Sequence, residues 1–485
     1  MDRYGLWING EFTESKRNEW FETRNPADQS VIARVARGRG EDVDAAVKAA
    51  KSAFESDGWQ NMHPAERGRI LLRASELIRR DRDELALLET MDNGKPLNQA
   101  RTDIEVSARY FEYYAGVADK ILGETIPVSP GYIDFTQREP FGVCGLIIPW
   151  NYPMQVAART AAPALAAGNT VVLKPAEETP LTALKLGVLL KEAGLPDGAF
   201  NVVPGFGVEA GAALAAHSGI DHLSFTGSVP VGTEVMTSAA KNIVPVTLEL
   251  GGKSPNIVFA DADLEEAVRW VVNSIIQNAG QTCSAGSRLL VERSVHDQLV
   301  SMVKDRMESL TVGPGINNPD MGPIISEKQL NTVLRYISLA EEEGAEILTG
   351  GSRLEEGELA KGYFVQPTLL DHVPRGCRVA TEEIFGPVLS TLVFDEVDEA
   401  ISIANETPYG LVTGIHTRDL SKALTVAKKV RSGQVFINTY GAGGGVEMPF
   451  GGYGKSGFGR EKGLEALLHF TQLKNVLIRY GSSLA

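Results

Sequence analysis

Three short stretches carry side chains whose types and spacing could do chemistry. Cys283 lies in Asn278-Ala279-Gly280-Gln281-Thr282-Cys283-Ser284, a small and polar turn that closes a helix-patterned run. Cysteine is the strongest nucleophile among the side chains once local dipoles or cations pull its pKa below about 8.5 and release the thiolate. Small neighbours at a helix-to-strand junction would let such a sulfur face a ligand. By itself the segment fits a packed, inert thiol equally well. Glu249-Leu250-Gly251-Gly252-Lys253 ends the apolar run 243–248 with a carboxylate and two glycines. Glycines allow close approaches that a Cβ would block, so Glu249 could face an open cleft and act as a general base through one water. A solvated strand-end carboxylate is the plainer account of it. In Pro149-Trp150-Asn151-Tyr152-Pro153 two prolines bracket one neutral amide. That rigidity suits a fixed donor aimed at a developing oxyanion, although asparagine also serves local backbone groups.

Three further loops resemble parts of a dinucleotide site. Lys174-Pro175-Ala176-Glu177 follows a short apolar run, where open α/β sheets commonly place a carboxylate on a ribose hydroxyl. Phe225-Thr226-Gly227-Ser228-Val229-Pro230-Val231-Gly232 opens a helix-like stretch, whose amide-rich start could hold a pyrophosphate. Pro204-Gly205-Phe206-Gly207 approaches the glycine fingerprint but misses its spacing.

The elements that must position these residues are α/β in character. Helical periodicity is first clear at 41–56, where Val43, Ala46, Val47, Ala50 and Phe54 share a face, and continues through 64–92 to the turn at Asp92-Asn93-Gly94. Residues 121–139 are rich in strand formers, with Pro127 and Pro130, and suit an edge ribbon or arm. From 141 to 228 short apolar runs at 143–148, 171–173, 200–203 and 222–225 alternate with helical stretches at 154–167, 181–193 and 207–216. That rhythm marks parallel βαβ units. A second such run follows, with strands expected at 256–259, 287–291, 345–348, 389–394 and 435–438 and helices at 264–278, 329–344 and 421–430. The reading is therefore two open-sheet α/β domains, hinged near Gly251-Gly252, with a small β arm. A Rossmann-like cofactor domain takes 1–120 and 141–252, a catalytic domain 253–453, and the arm 121–140 and 465–485.

The bulk numbers agree. A chain of 485 residues is too long for one ordinary core, and 43% hydrophobic with 22% charged residues is a globular profile. A net charge of −15 argues against nucleic acid or an anionic membrane as the main partner, since those binders need a basic surface. No apolar run reaches the roughly 20 residues of a bilayer span, and the amino end lacks a basic region followed by an apolar stretch. The expected place is the cytoplasm. Three scattered cysteines, Cys144, Cys283 and Cys377, cannot build a disulfide framework or a four-ligand zinc site, so no metal is expected.

Taken together, the motifs resemble the aldehyde dehydrogenase superfamily along nearly the whole chain. The matching pieces, in order, are PWNYP at 149–153, KPAEETPLTAL at 174–184, FTGS at 225–228, ELGGKSP at 249–255, GQTC at 280–283, EEIFGPV at 382–388 and PFGGYGKSG at 449–457. The resemblance implies oxidation of an aldehyde to its acid with NAD. Cys283 would attack the carbonyl, the oxyanion would lie between the Asn151 amide and the Cys283 N–H, and Glu249 would activate the water that hydrolyses the thioester. Glu461 matches a carboxylate that relays protons in the family, but relatives often carry lysine where this chain has Thr160. The implied cofactor residues are Ile148, Trp150, Lys174, Glu177, Gly205, Gly227, Ser228, Leu250, Gly251, Glu383 and Phe385. Glu177 would repel a 2′-phosphate and so favour NAD over NADP, with Lys174 close enough to leave NADP open. The arm implies a homodimer or homotetramer.

By the same resemblance the substrate tunnel takes in Tyr152, Val156, Arg159, residues 277–282 with Thr282, and the glycine-rich loop 441–447. Many relatives carry aromatic rings at Arg159 and in that loop, so the mouth is expected to be wide or mobile. Arg159 either meets an acidic or strongly polar far end of the aldehyde, turns outward, or pairs with Glu447 or Glu461. Two rival chemistries remain. A coenzyme-A-acylating enzyme would not need Glu249, and a non-redox cysteine hydrolase would need a partnering histidine, which none of the seven supplies in a matching motif.

Overall fold

The computed structural model describes residues 2–441 and 445–480. Two large sheets dominate it. The first has eight strands in the order Gly457–Phe458, Val246–Glu249, His222–Thr226, Val143–Ile147, Thr170–Lys174, Phe200–Val202, Leu6–Ile8 and Glu11–Thr13. Its five strands from Val246–Glu249 to Phe200–Val202 are parallel. They are buried along nearly their whole length, which is why they read as short unbroken apolar runs. The chain starts at Val143–Ile147, moves outward to Phe200–Val202, then returns to the other side of the first strand. The crossover point between Val143–Ile147 and His222–Thr226 is where open α/β sheets bind ligands.

The second sheet has seven strands, ordered Glu346–Thr349, Thr368–Asp371, Val388–Phe394, Arg288–Glu292, Pro255–Val258, Val412–His416 and Gln434–Ile437. All pairings are parallel except that of Glu346–Thr349. Each sheet has its own apolar core. The segment Leu250–Ser254 joins the two sheets, between the end of Val246–Glu249 and the start of Pro255–Val258. Glu249 thus leaves the carboxyl end of one sheet and Cys283 precedes a strand of the other, so the two face each other across one cleft.

Two small sheets complete the fold. Asp2–Tyr4, Val31–Ala36 and Trp20–Arg24 form one. In the other, Thr471–Arg479 pairs along its whole length with Tyr132–Pro140, which also carries Thr125–Ile126. This is the expected ribbon, together with the tail.

The sequence reading needs correction at several places, and it did not place the strands Thr368–Asp371 and Val412–His416 or the helix His296–Glu308. Leu97–Val117 is a 21-residue helix that periodicity did not reveal. The helix expected over 264–278 stops at Ile276, because Asn278 and Ala279 take left-handed backbone angles. Gly457–Phe458, outside both assigned domains, adds to the cofactor sheet beside Glu249. Residues 442–444 of the glycine-rich loop and 481–485 of the tail lie outside the described residues. Among the described residues, no helix is long and apolar enough to cross a membrane.

Candidate active site

The loop that carries Cys283 is shaped by three consecutive left-handed residues, Asn278, Ala279 and Gly280, with φ of 48°, 55° and 72°. Two of these are not glycine, a conformation that costs of order 1–2 kcal/mol per residue and persists only where the surroundings impose it. Those surroundings are visible. Gln281 is fully buried; its Nε2 donates to the Asn278 carbonyl at 2.9 Å and its Oε1 accepts from the Ile325 N–H at 2.9 Å. A Cβ on Gly280 would collide with the Gly386 backbone. Cys283 follows, half-buried.

Asn151 emerges at the crossover point of the first sheet, in the turn between Val143–Ile147 and the helix Pro153–Ala166. It is buried, and its Nδ2 donates to the Gln281 carbonyl at 2.9 Å. A carboxamide has two N–H groups, and among the described residues only one is engaged. The turn is braced by residues with no motif signal. Asn93 donates to the Trp150 carbonyl at 2.9 Å, and Asn278 Nδ2 donates to the Asn151 carbonyl at 2.8 Å. Beneath them Lys95 is fully buried, with Nζ 3.0 Å from Glu89 and 2.6 Å from Asp103. Glu89 accepts from the Met154 N–H at the start of the helix, and Lys95 lies 4.3 Å from the Tyr152 ring centroid. In sequence these charges look like ordinary helix surface.

Glu249 is 2% exposed and neither carboxylate oxygen has a hydrogen-bond partner among the described residues. Burial, reinforced by the Glu461 carboxylate, holds its pKa well above the usual carboxylate range against the pull of Arg159, Arg460 and Lys462. Burial also pushes the Cys283 thiol up to about 12, opposed mainly by the Arg159 guanidinium. Burial thus favours the neutral form of both groups, and Arg159 is the main charge that favours the sulfur anion.

Arg159 answers the question its sequence position raised. Its Nε lies 2.5 Å from Glu461 Oε2, an ion pair without hydrogen-bond alignment, and both residues are buried. Glu447 pairs instead with Arg109. Of the alternatives the sequence left open, the one the structure draws is the pair with Glu461, while Arg159 still lines the cavity and its Nη2 has no hydrogen-bond partner among the described residues. Thr160 Oγ1 donates back to the Val156 carbonyl at 2.9 Å and offers no ionisable group. Glu461 also accepts from Ser224 Oγ at 3.3 Å.

A cavity of about 330 Å³ brings most of the expected site together: Cys283, Glu249, Asn151, Trp150, Tyr152, Val156, Arg159, Gly227, Ser228, Gly251, Glu383 and Phe385 all line it. Thr282 faces a neighbouring cavity but holds Tyr152 through a 3.0 Å hydroxyl bond. Ile148 and Leu250 lie behind the lining; the Ile148 N–H donates to the Lys174 carbonyl and the Leu250 N–H to the Ser456 carbonyl. Lys174 and Glu177 form their own pair, 3.0 Å apart, at the end of Thr170–Lys174, and Gly205 packs against the Gly38 carbonyl. These five positions support or flank the cavity without lining it.

The chemistry of the lining suits a dinucleotide. Ser228 caps the amino end of the helix Val229–Ala240, where free N–H groups favour a phosphate. A Cβ on Gly251 would strike the Glu383 carboxylate, which accepts from the Gly252 N–H at 3.1 Å. Burial raises Glu383 to about 7. Trp150 meets the Phe385 ring edge-on at 5.3 Å.

The sequence profile of the aldehyde dehydrogenase family matches residues 12–476. The chain belongs to that family. Aldehyde dehydrogenase 1 of Tanacetum cinerariifolium is 47% identical over 97% of this chain and 94% of its own length. Among solved structures, a Burkholderia cenocepacia protein assigned as an aldehyde dehydrogenase is 51% identical, with a TM-score of 0.97 over 98% of this chain and all of that one. The aldehyde dehydrogenase of Bacillus cereus in complex with NAD+ is 45% identical, with a TM-score of 0.97 over 99% of this chain and 97% of that one. Family membership makes the shared cavity the candidate site of aldehyde oxidation.

Proposed function

We propose that this protein oxidises an aldehyde to the carboxylic acid with NAD, using Cys283 as nucleophile, Asn151 as oxyanion donor and Glu249 as base. The observation that carries the assignment is that these three residues line one cavity with Gly227, Ser228, Glu383 and Phe385. The Cys283 sulfur adds to the carbonyl carbon as its proton leaves to the ionised fraction of Glu249, and Arg159 favours the anionic sulfur. The alkoxide then meets the second Asn151 N–H and the backbone N–H of Cys283. NAD, when bound, supplies the acceptor for the hydride released as the thiohemiacetal collapses to a thioester. Once Glu249 has lost that first proton to solvent, it takes one from water; the hydroxide attacks the thioester, the acid leaves, and the departing sulfur regains a proton from Glu249. Glu461, held by Arg159 and Ser224, strengthens the hold of Glu249 on its proton by like-charge repulsion.

Glu177 engages Lys174 and places negative charge at the end of its strand, which supports NAD over NADP. We assign 1–120 and 141–252, with 457–458, to the cofactor half and 253–453 to the catalytic half. The ribbon of 121–140 and the tail is assigned to pairing with a second copy, as a dimer or a dimer of dimers. Free thiols at all three cysteines suit a reducing compartment such as the cytoplasm.

The test is Cys283→Ala. NADH formation from NAD and an aldehyde should vanish while NAD binding, read by fluorescence titration, persists. Turnover close to that of the unaltered protein would overturn the assignment.

A further inference from the structure

A second cavity of about 430 Å³ is lined by Thr282 and Ser284, the residues on either side of Cys283. Its size is within the range that small-molecule sites use. One wall is a face of the helix Leu264–Ile276 and its short extension, where Trp270, Asn273 and Gln277 follow one another at spacings of three and four. Asn98 and Gln99, at the start of Leu97–Val117, stand on another side. Tyr440 is fixed by donating to the Ser284 carbonyl at 2.7 Å.

The hydrogen-bonding capacity here is mostly neutral. Asn273 and Gln277 are exposed, and among the described residues neither side-chain amide bonds to the chain. The two charges, Arg306 and Asp320, are of opposite sign. Arg306 donates to Ser309, and Asp320 accepts from the Thr311 N–H and hydroxyl. A carboxylate or an ammonium entering the cavity therefore meets no net opposite charge. An alkyl chain would cover free amides that it cannot satisfy, and that loss disfavours it. A hydroxyl both donates and accepts, as a carboxamide does, and the Trp270 indole offers an apolar face to carbon-bound hydrogens.

We infer that this cavity holds the far part of the substrate and selects short, uncharged aldehydes hydroxylated along their chain, of the aldose type. The inference rests on Cys283 being the nucleophile, because only then does the substrate chain run past Thr282 and Ser284.

The experiment compares glyceraldehyde with propanal, and erythrose with butanal, using NAD and correcting each rate for the fraction of free aldehyde. Succinic semialdehyde serves as the charged arm. The hydroxylated member of each pair should lead in kcat/KM by about tenfold, the scale of one or two net hydrogen bonds. Asn273→Leu and Gln277→Leu should each shrink that ratio, with NAD binding confirming that the variants fold. If neither folds, the ratios of the unaltered protein still decide. A ratio at or below one, a ratio unmoved in both folded variants, or succinic semialdehyde leading the panel would overturn the inference. No NADH from any aldehyde would overturn the reading of the active site itself, a separate result.

Discussion

Desolvation raises the pKa of both Cys283 and Glu249, so at the residue scale the chemistry is gated by pH. For Glu249 the raised pKa means that the proportion of active base grows as pH rises towards that value. Thioester hydrolysis should therefore climb with pH, and Glu249→Gln should remove this limb while preserving a rapid burst of NADH before slow steady turnover; stopped-flow absorbance reads both. An absent burst with undiminished steady turnover would move the base elsewhere. Arg159→Ala would leave Glu461 buried beside Glu249 without its cation, a loss of about 3–5 kcal/mol when one member of a buried pair is removed. Urea unfolding should report it. If its pairing with Glu461 is the main role of the guanidinium, the same variant should leave the preference between succinic semialdehyde and an uncharged aldehyde of equal length unchanged, and a changed ratio would give Arg159 a contact with substrate. At this scale Cys283, Asn151 and Glu249 were legible through their motifs. The partner of Arg159 was not settled, since sequence offered Glu447 and Glu461 equally and only packing distinguishes them.

Among the elements, legibility followed chemical simplicity. Most of the parallel strands are continuous apolar runs because both faces are covered, so they could be placed within a few residues, whereas Thr368–Asp371 and Val412–His416 were not placed. Leu97–Val117 was missed because its inner face includes Asp103 and Ser107, and Asp103 is there to meet Lys95. A buried ion pair breaks the apolar period that reveals a helix. The turn at 278–280 was also hidden, since its neighbours in space, Gly386 and Ile325, are distant in sequence. Gly280→Ala tests this element. Its φ and the nearby Gly386 backbone both oppose a methyl group, so a destabilisation of about 1–3 kcal/mol is expected, with a larger proportional loss of turnover as Cys283 shifts. Equal loss of NAD affinity would instead point to disruption of the first sheet.

For the whole molecule, the ribbon leaves Ile133, Leu473, Leu477 and Ile478 exposed on a single chain. A long, apolar sheet edge invites a second copy. Leu473→Asp combined with Leu477→Asp should shift the species seen by light scattering to a smaller one, and an unchanged mass would place the interface elsewhere. The path of the chain has a further consequence for how the protein is made. Val246–Glu249 stays an open sheet edge until Gly457–Phe458, some two hundred residues later, arrives to cover it. On the ribosome the first sheet waits through synthesis of the entire second one, with the strand that bears Glu249 unprotected. Release of a chain ending before residue 457 would give a product whose stickiest edge is the one meant to hold its base.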